Sequence, residues 1–188
     1  MTDSSNSWQV VYEHFVNFVL PAGRSYRVAE VALSKAFRQH GRETDEFRRA
    51  QNDAIREGSN MAIAFDALVD RARMVGGRSR EQIYADVAPL CRHGDNLRDG
   101  VLERLSAIAN AYKHYKLDEQ RHPIRSADDV LAVGSGYGVD GYGVGKSGEP
   151  EVLIRLQDGK QRKLLGDGQL ATVGWQTFLQ SKGFVFDT

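Results

Sequence analysis

Residues 96–117 read NLRDGVLERLSAIANAYKHYKL. Leu97, Val101, Leu105, Ile108, Tyr112 and Tyr115 recur at the three- and four-residue steps that draw one apolar stripe along a helix. Asp95, just before the run, reads as its N-cap. Beyond residue 117 the texture changes, because twelve of the 19 glycines lie in residues 118–188. This boundary decides the fold class, with helices on one side of it and short strands and turns on the other.

Upstream, the spacing predicts a helix over 7–20, with Trp8, Val11, Tyr12, Phe15, Phe18 and Val19 on one face and Pro21-Ala22-Gly23 ending it. A second helix is expected over 25–39, before Gly41. A third starts at a Thr44 cap and keeps its period to Val75, with a kink or break at Gly58-Ser59 and a stop at Gly76-Gly77. Ser79 caps a shorter helix to about Leu90. Short connections between these helices predict an antiparallel four- or five-helix bundle over 1–117. Downstream, 129–133 reads as a strand. Glu151–Leu156 and Lys160–Leu165 flank Asp158-Gly159, a strong hairpin signal, and 168–180 reads as a terminal helix. A lone hairpin is marginal in water, so 118–188 is expected to pack on the bundle, giving an α+β chain.

Composition excludes several functions. Twenty-five basic residues balance 25 acidic ones, which argues against a protein that coats nucleic acid or an anionic membrane. A single cysteine, Cys91, forbids a disulfide framework or a cysteine metal cage within one chain and reads as a small core residue. No apolar run reaches the length of a membrane span, and the polar start MTDSSNSW is no secretory signal, so a cytoplasmic location is expected. The five histidines stand apart, without the paired spacing a metal site in a bundle needs. Asp66 and Asp70 lie one turn apart, but beside Arg71 and Arg73 they read as an ordinary charged face. No metal or other cofactor is expected.

Two surfaces carry chemistry. On the 96–117 helix, Glu103, Asn110 and His114 fall within about 40° of one another and about 160° from the centre of the apolar stripe. They form a polar stripe beside Lys113, with Ala107 and Ala111 allowing close approach. It suits plain solvent, a neighbouring helix, or a dimer or ligand interface. The second surface is the repeat Gly136-Tyr137-Gly138-Val139-Asp140 then Gly141-Tyr142-Gly143-Val144-Gly145. It reads as an aromatic contact loop, or as a loop that packs Tyr137 and Tyr142 on the bundle. Although 136–141 matches G-x-G-x-x-G and Gly145-Lys146-Ser147 resembles the end of a phosphate-binding loop, a strand follows instead of the required helix.

Asn110-x-x-Lys113-His114 near the end of a long helix, followed by a YG-rich stretch, a hairpin and a Trp-containing helix, resembles a group of uncharacterised bacterial proteins. More loosely, the helical part is similar to the HEPN superfamily, many of whose members are RNases or sit in toxin–antitoxin and defence systems. HEPN RNases carry an arginine a few residues before a histidine. None of His14, His40, His93, His114 and His122 has one five to seven positions upstream. The resemblance therefore implies a non-catalytic binding module of a bacterial cytoplasmic system, with a protein partner or self-association. Nucleic acid is not favoured by the net charge, and no membrane is implied. The alternative is an atypical RNase in which His114 is the acid or base and Lys113 or Arg104 stabilises phosphate charge.

Overall fold

The computed structural model describes residues 4–94, 96–114, 122–133, 146 and 148–186. The chain opens with a helix that does not stop at Pro21. Helix α1 (Ser4–His14) passes through a π-turn (Phe15–Val19) directly into α2 (Leu20–His40). A proline inside a helix has no N–H to donate and crowds the carbonyl four residues back. The widened turn, in which the Leu20 N–H reaches back to the Phe15 carbonyl, absorbs that conflict, so the helix continues through the expected break at 21–23. Helix α2 ends at Gly41, whose φ of +79° suits a residue without Cβ.

Helix α3 (Asp45–Gly76) starts where Thr44 Oγ1 accepts from the Phe47 N–H at 3.2 Å, with Asp45 and Glu46 in its first turn. It runs unbroken through Gly58. That glycine is a close-packing site: a Cβ there would stand 2.7 Å from Leu164 Cδ2 and 3.1 Å from the Tyr26 ring. Helix α4 (Arg80–Val87) is held by a capping box. Gln82 N–H donates to Ser79 Oγ while Ser79 N–H donates to Gln82 Oε1, and a 3-10 turn, Ala88–Leu90, completes it.

The expected helix start at 96 is corrected. Arg92–His93 (β1) and Asn96–Leu97 (β2) pair as a two-residue ribbon, and helix α5 (Val101–His114) begins only after Gly100. Leu97 therefore lies off the stripe and is 53% exposed, while Val101, Leu105 and Ile108 are buried as expected. The Asp95 cap and Tyr115 lie outside the described residues.

In the C-terminal part, β3 (Val130–Val133), β4 (Glu151–Arg155) and β5 (Gln161–Lys163) form an antiparallel sheet in the order β3-β4-β5. Val133 faces Glu151, and Arg155 faces Gln161 across the Asp158-Gly159 turn. The sheet is thus a hairpin with a third strand. Helix α6 (Leu164–Ser181) takes over Leu164 and Leu165, which the sequence pattern assigned to the last strand. The reason is burial: both leucines turn into the core that Tyr26, Met61, Phe65 and Trp175 also fill. α5 and α6 pack on one another, and α6 also meets α2 and α3. The chain is mostly helical, with a small antiparallel sheet and a helix that closes the same core.

Candidate functional site

Helix α5 is buried over most of its circumference: Leu102, Arg104, Ser106, Ala107, Ala109 and Ala111 are inside as well as Val101, Leu105 and Ile108, while Tyr112 of the expected apolar stripe is 39% exposed. Ala107 and Ala111 are therefore already covered by the chain's own packing and offer no face to a partner. What stays outside is narrow. Glu103 and His114 are exposed and Asn110 is half-buried, and none of the three has a hydrogen-bond or ion-pair partner among the described residues. Tyr137 and Tyr142 lie outside the described residues.

Lys113 has a different fate from its neighbours. Its Nζ donates to Asp66 Oδ2 at 3.0 Å, tying the end of α5 to the middle of α3. Asp66 was expected on a charged face, but it is 3% exposed. Besides Lys113 it accepts from Arg80 (2.5 Å) and from Ser106 Oγ (2.8 Å). Burial alone would raise its pKa, but these hydrogen bonds and the Arg80 charge hold it below the usual carboxylate range. The second amino group of Arg80 reaches Asp70 at 2.6 Å, so one guanidinium bridges the two carboxylates of the Asp66/Asp70 pair. A divalent cation between them would have to displace it.

Arg104 points inward. Its Nε donates to Asp167 Oδ2 at 2.7 Å and its Nη2 to Asp167 Oδ1 at 2.8 Å, a bidentate pair with a carboxylate of zero exposure. Arg98 Nε adds a third donor at 2.6 Å. The pair fastens α5 to the first turn of α6.

A further ionic cluster sits where the sheet meets α2. Lys146 Nζ lies 2.7 Å from Glu30 Oε2 and donates to Ser34 Oγ, while Glu30 Oε1 accepts from Tyr26 Oη (2.6 Å) and from the Val152 N–H (2.9 Å). Lys163 pairs with buried Glu151 at 2.9 Å. Burial pushes the Glu151 carboxyl up, with the hydrogen bond from Lys163 opposing. Lys146 is the lysine of the Gly-Lys-Ser triplet. In this fold it anchors the start of β4 to α2 and does not reach for phosphate.

Sequence reasoning did not single out Asp167, Glu30 or Glu151. The available signal is an acid inside an apolar or glycine run, in Leu164-Leu-Gly-Asp-Gly-Gln-Leu170 and Val28-Ala-Glu-Val-Ala-Leu33, or at the start of one, in Glu151-Val-Leu-Ile154. Among the described residues no group of three His, Cys, Asp or Glu side chains could hold a metal ion, and no helix is long and apolar enough to cross a membrane. A groove of about 810 Å³ between α2 and α3 has Ala32, Ala36 and Ala50 among its lining. Lys35 and Arg49 stand along it with Glu46 and Asp53, so its charge selects neither sign of ligand.

The chain matches no family model, no curated protein and no solved structure in comparisons with known proteins. The resemblance to HEPN bundles therefore rests on the helix pattern and on the Lys113-His114 pair.

Proposed function

We propose that this chain is a non-catalytic binding module of a bacterial cytoplasmic system, and that the outer stripe of α5 (Glu103, Asn110 and His114) is a contact surface for a protein partner or a second copy. One observation carries this reading. Both cations that phosphate chemistry at His114 would call on are already engaged, Lys113 with Asp66 and Arg104 with Asp167. A general acid or base without a neighbouring charge stabiliser supplies only part of an RNase mechanism. The stripe itself keeps its polar groups for an outside partner. Buried Cys91, whose thiol burial pushes up to about 12, suits a reducing compartment.

The test pairs two measurements on the purified full chain. Labelled RNA is incubated with wild type and His114→Ala. Partner retention from the native host is then compared between wild type and an Asn110→Ala/His114→Ala variant. The expected result is intact RNA throughout, with a partner held by wild type and released by the double variant. RNA cleavage that disappears in His114→Ala overturns the reading in favour of an atypical RNase. A partner held equally by both chains removes the α5 stripe from the interface.

A further inference from the structure

A cleft of about 300 Å³ opens between the start of α2 and the outer face of α6. On α2 it is lined by Tyr26 and by Leu20, Gly23, Arg24 and Arg27, the last four sharing one helical face at i, i+3, i+4 and i+7. Leu165, Gly168, Gln169, Thr172 and Val173 of α6 form the opposite wall by the same spacing, and Met61 of α3 joins them.

Its two glycines differ. A Cβ at Gly168 would fall 2.5 Å from Met61 Sδ, so the packing of α3 on α6 explains that residue. A Cβ at Gly23 would meet nothing within 4 Å. A glycine inside a continuous helix weakens it, and no packing among the described residues needs one there. What Gly23 does is leave the α2 wall of the cleft open. Beside it Arg24 and Arg27 are exposed, and neither makes an ion pair or hydrogen bond with any described residue. This sets them apart from Arg80, Arg98 and Arg104, which are tied to carboxylates.

An apolar recess of this size with two uncommitted guanidinium groups at its mouth has the makeup of a small-ligand site: apolar walls for a body, a few polar groups for a head. Arginine binds a planar carboxylate through paired N–H donors. We infer that the cleft binds a small organic carboxylate with an aliphatic or aryl body, its carboxylate on Arg24 and Arg27 and its body over Gly23 toward Leu20, Met61, Leu165 and Val173. The volume suits a free small molecule better than a folded partner. The inference stands whether or not the α5 stripe holds a protein.

Calorimetric titration of the full chain with octanoate tests it, with n-octylamine as the charge-reversed control. Octanoate should bind saturably at one site, and octylamine at least about tenfold more weakly, because its head repels both arginines. Arg24→Gln/Arg27→Gln should weaken octanoate by about tenfold or more, the loss expected for charge-assisted hydrogen bonds. Gly23→Leu, which improves helix propensity while filling the recess, should abolish binding without lowering the unfolding temperature. Three results would each overturn the assignment: octanoate that never saturates, octylamine that binds as well as octanoate, or a folded Gly23→Leu chain with wild-type affinity. Should Gly23→Leu fail to fold, the arginine pair decides alone, since neither side chain supports the fold through a partner.

Discussion

Replacing Asp167 with asparagine should be among the most damaging conservative changes in this chain. The carboxylate has zero exposure and receives three N–H donors from Arg98 and Arg104. Asparagine keeps the shape but turns one acceptor oxygen into a donor nitrogen facing a guanidinium, and it removes the carboxylate charge that Arg98 and Arg104 share. Breaking a buried pair in this way costs about 3–5 kcal/mol. Against a typical domain stability of about 5–15 kcal/mol, the loss is large enough to read in urea unfolding followed by circular dichroism. At about 2–4 °C per kcal/mol for a chain of this size, the melting temperature should fall by roughly 10 °C.

The decisive comparison is a cycle with Arg104→Met, Asp167→Leu and the double variant. Removing both partners should cost less than the two single losses added together, with a coupling of at least about 2 kcal/mol. Arg98, which also donates to the Lys163 carbonyl at 3.2 Å, keeps part of the penalty in the double variant. Additive losses, with a coupling below about 0.5 kcal/mol, would refute the claim that this ion pair joins α5 to α6 as a unit.

Other consequences are direct. His14 is 6% exposed; its Nε2 pairs with the Ala64 carbonyl at 3.0 Å, and its Nδ1 is buried without a hydrogen-bond partner among the described residues. Burial pulls its pKa below 6.5, the Ala64 bond opposing and the Arg71 charge adding. The unfolded chain therefore takes up a proton first. The stabilisation is complete above about pH 6.5 and is lost as the pH falls through that value toward the folded one. Urea midpoints measured from pH 7.5 to 5 should drop more steeply for wild type than for His14→Gln, and parallel curves would contradict this. Cys91, with its thiol pushed up to about 12 inside the core, should resist an aromatic disulfide reagent in the native chain and react at once in denaturant. A Cβ at Gly174 would lie 2.6 Å from Cys91 Sγ. Gly174→Ala should therefore destabilise by about 1–3 kcal/mol despite the better helix former, and Cys91→Ala in the same chain should restore part of that in thermal unfolding.

Much of the local architecture is legible in the residues. Thr44 and Ser79 start their helices through the side-chain acceptors that the pattern implies, and Gly41 and Gly77 end theirs at positive φ. Asp158-Gly159 turns the chain between two strands. The misreadings share a cause. Pro21 is a helix breaker by local rule, yet the helix continues because a π-turn absorbs the proline; Gly58, a kink or break by one reading, sits in an unbroken helix and makes room for Tyr26 and Leu164. Leu164 and Leu165 fit a strand or a helix equally by pattern, and burial against the core chose the helix.

The polar stripe on α5 shows the same division. Helical spacing was enough to place Glu103, Asn110 and His114 on the side away from the core, because that angle is a property of one helix alone. It set Lys113 beside that stripe but could not give its partner. Lys113 is only 44% exposed because its amine is tied to Asp66, 47 residues earlier in the chain. By itself, then, the sequence determined the caps at Thr44 and Ser79, the Asp158-Gly159 turn and the buried positions Val101, Leu105 and Ile108 of α5, since those depend on residues a few positions apart. Tertiary structure alone decided which charges are buried and with whom: Asp66 with Arg80, Glu30 with Lys146, Asp167 with Arg98 and Arg104. A buried carboxylate survives only where cations from distant segments converge on it, and no local pattern records that convergence.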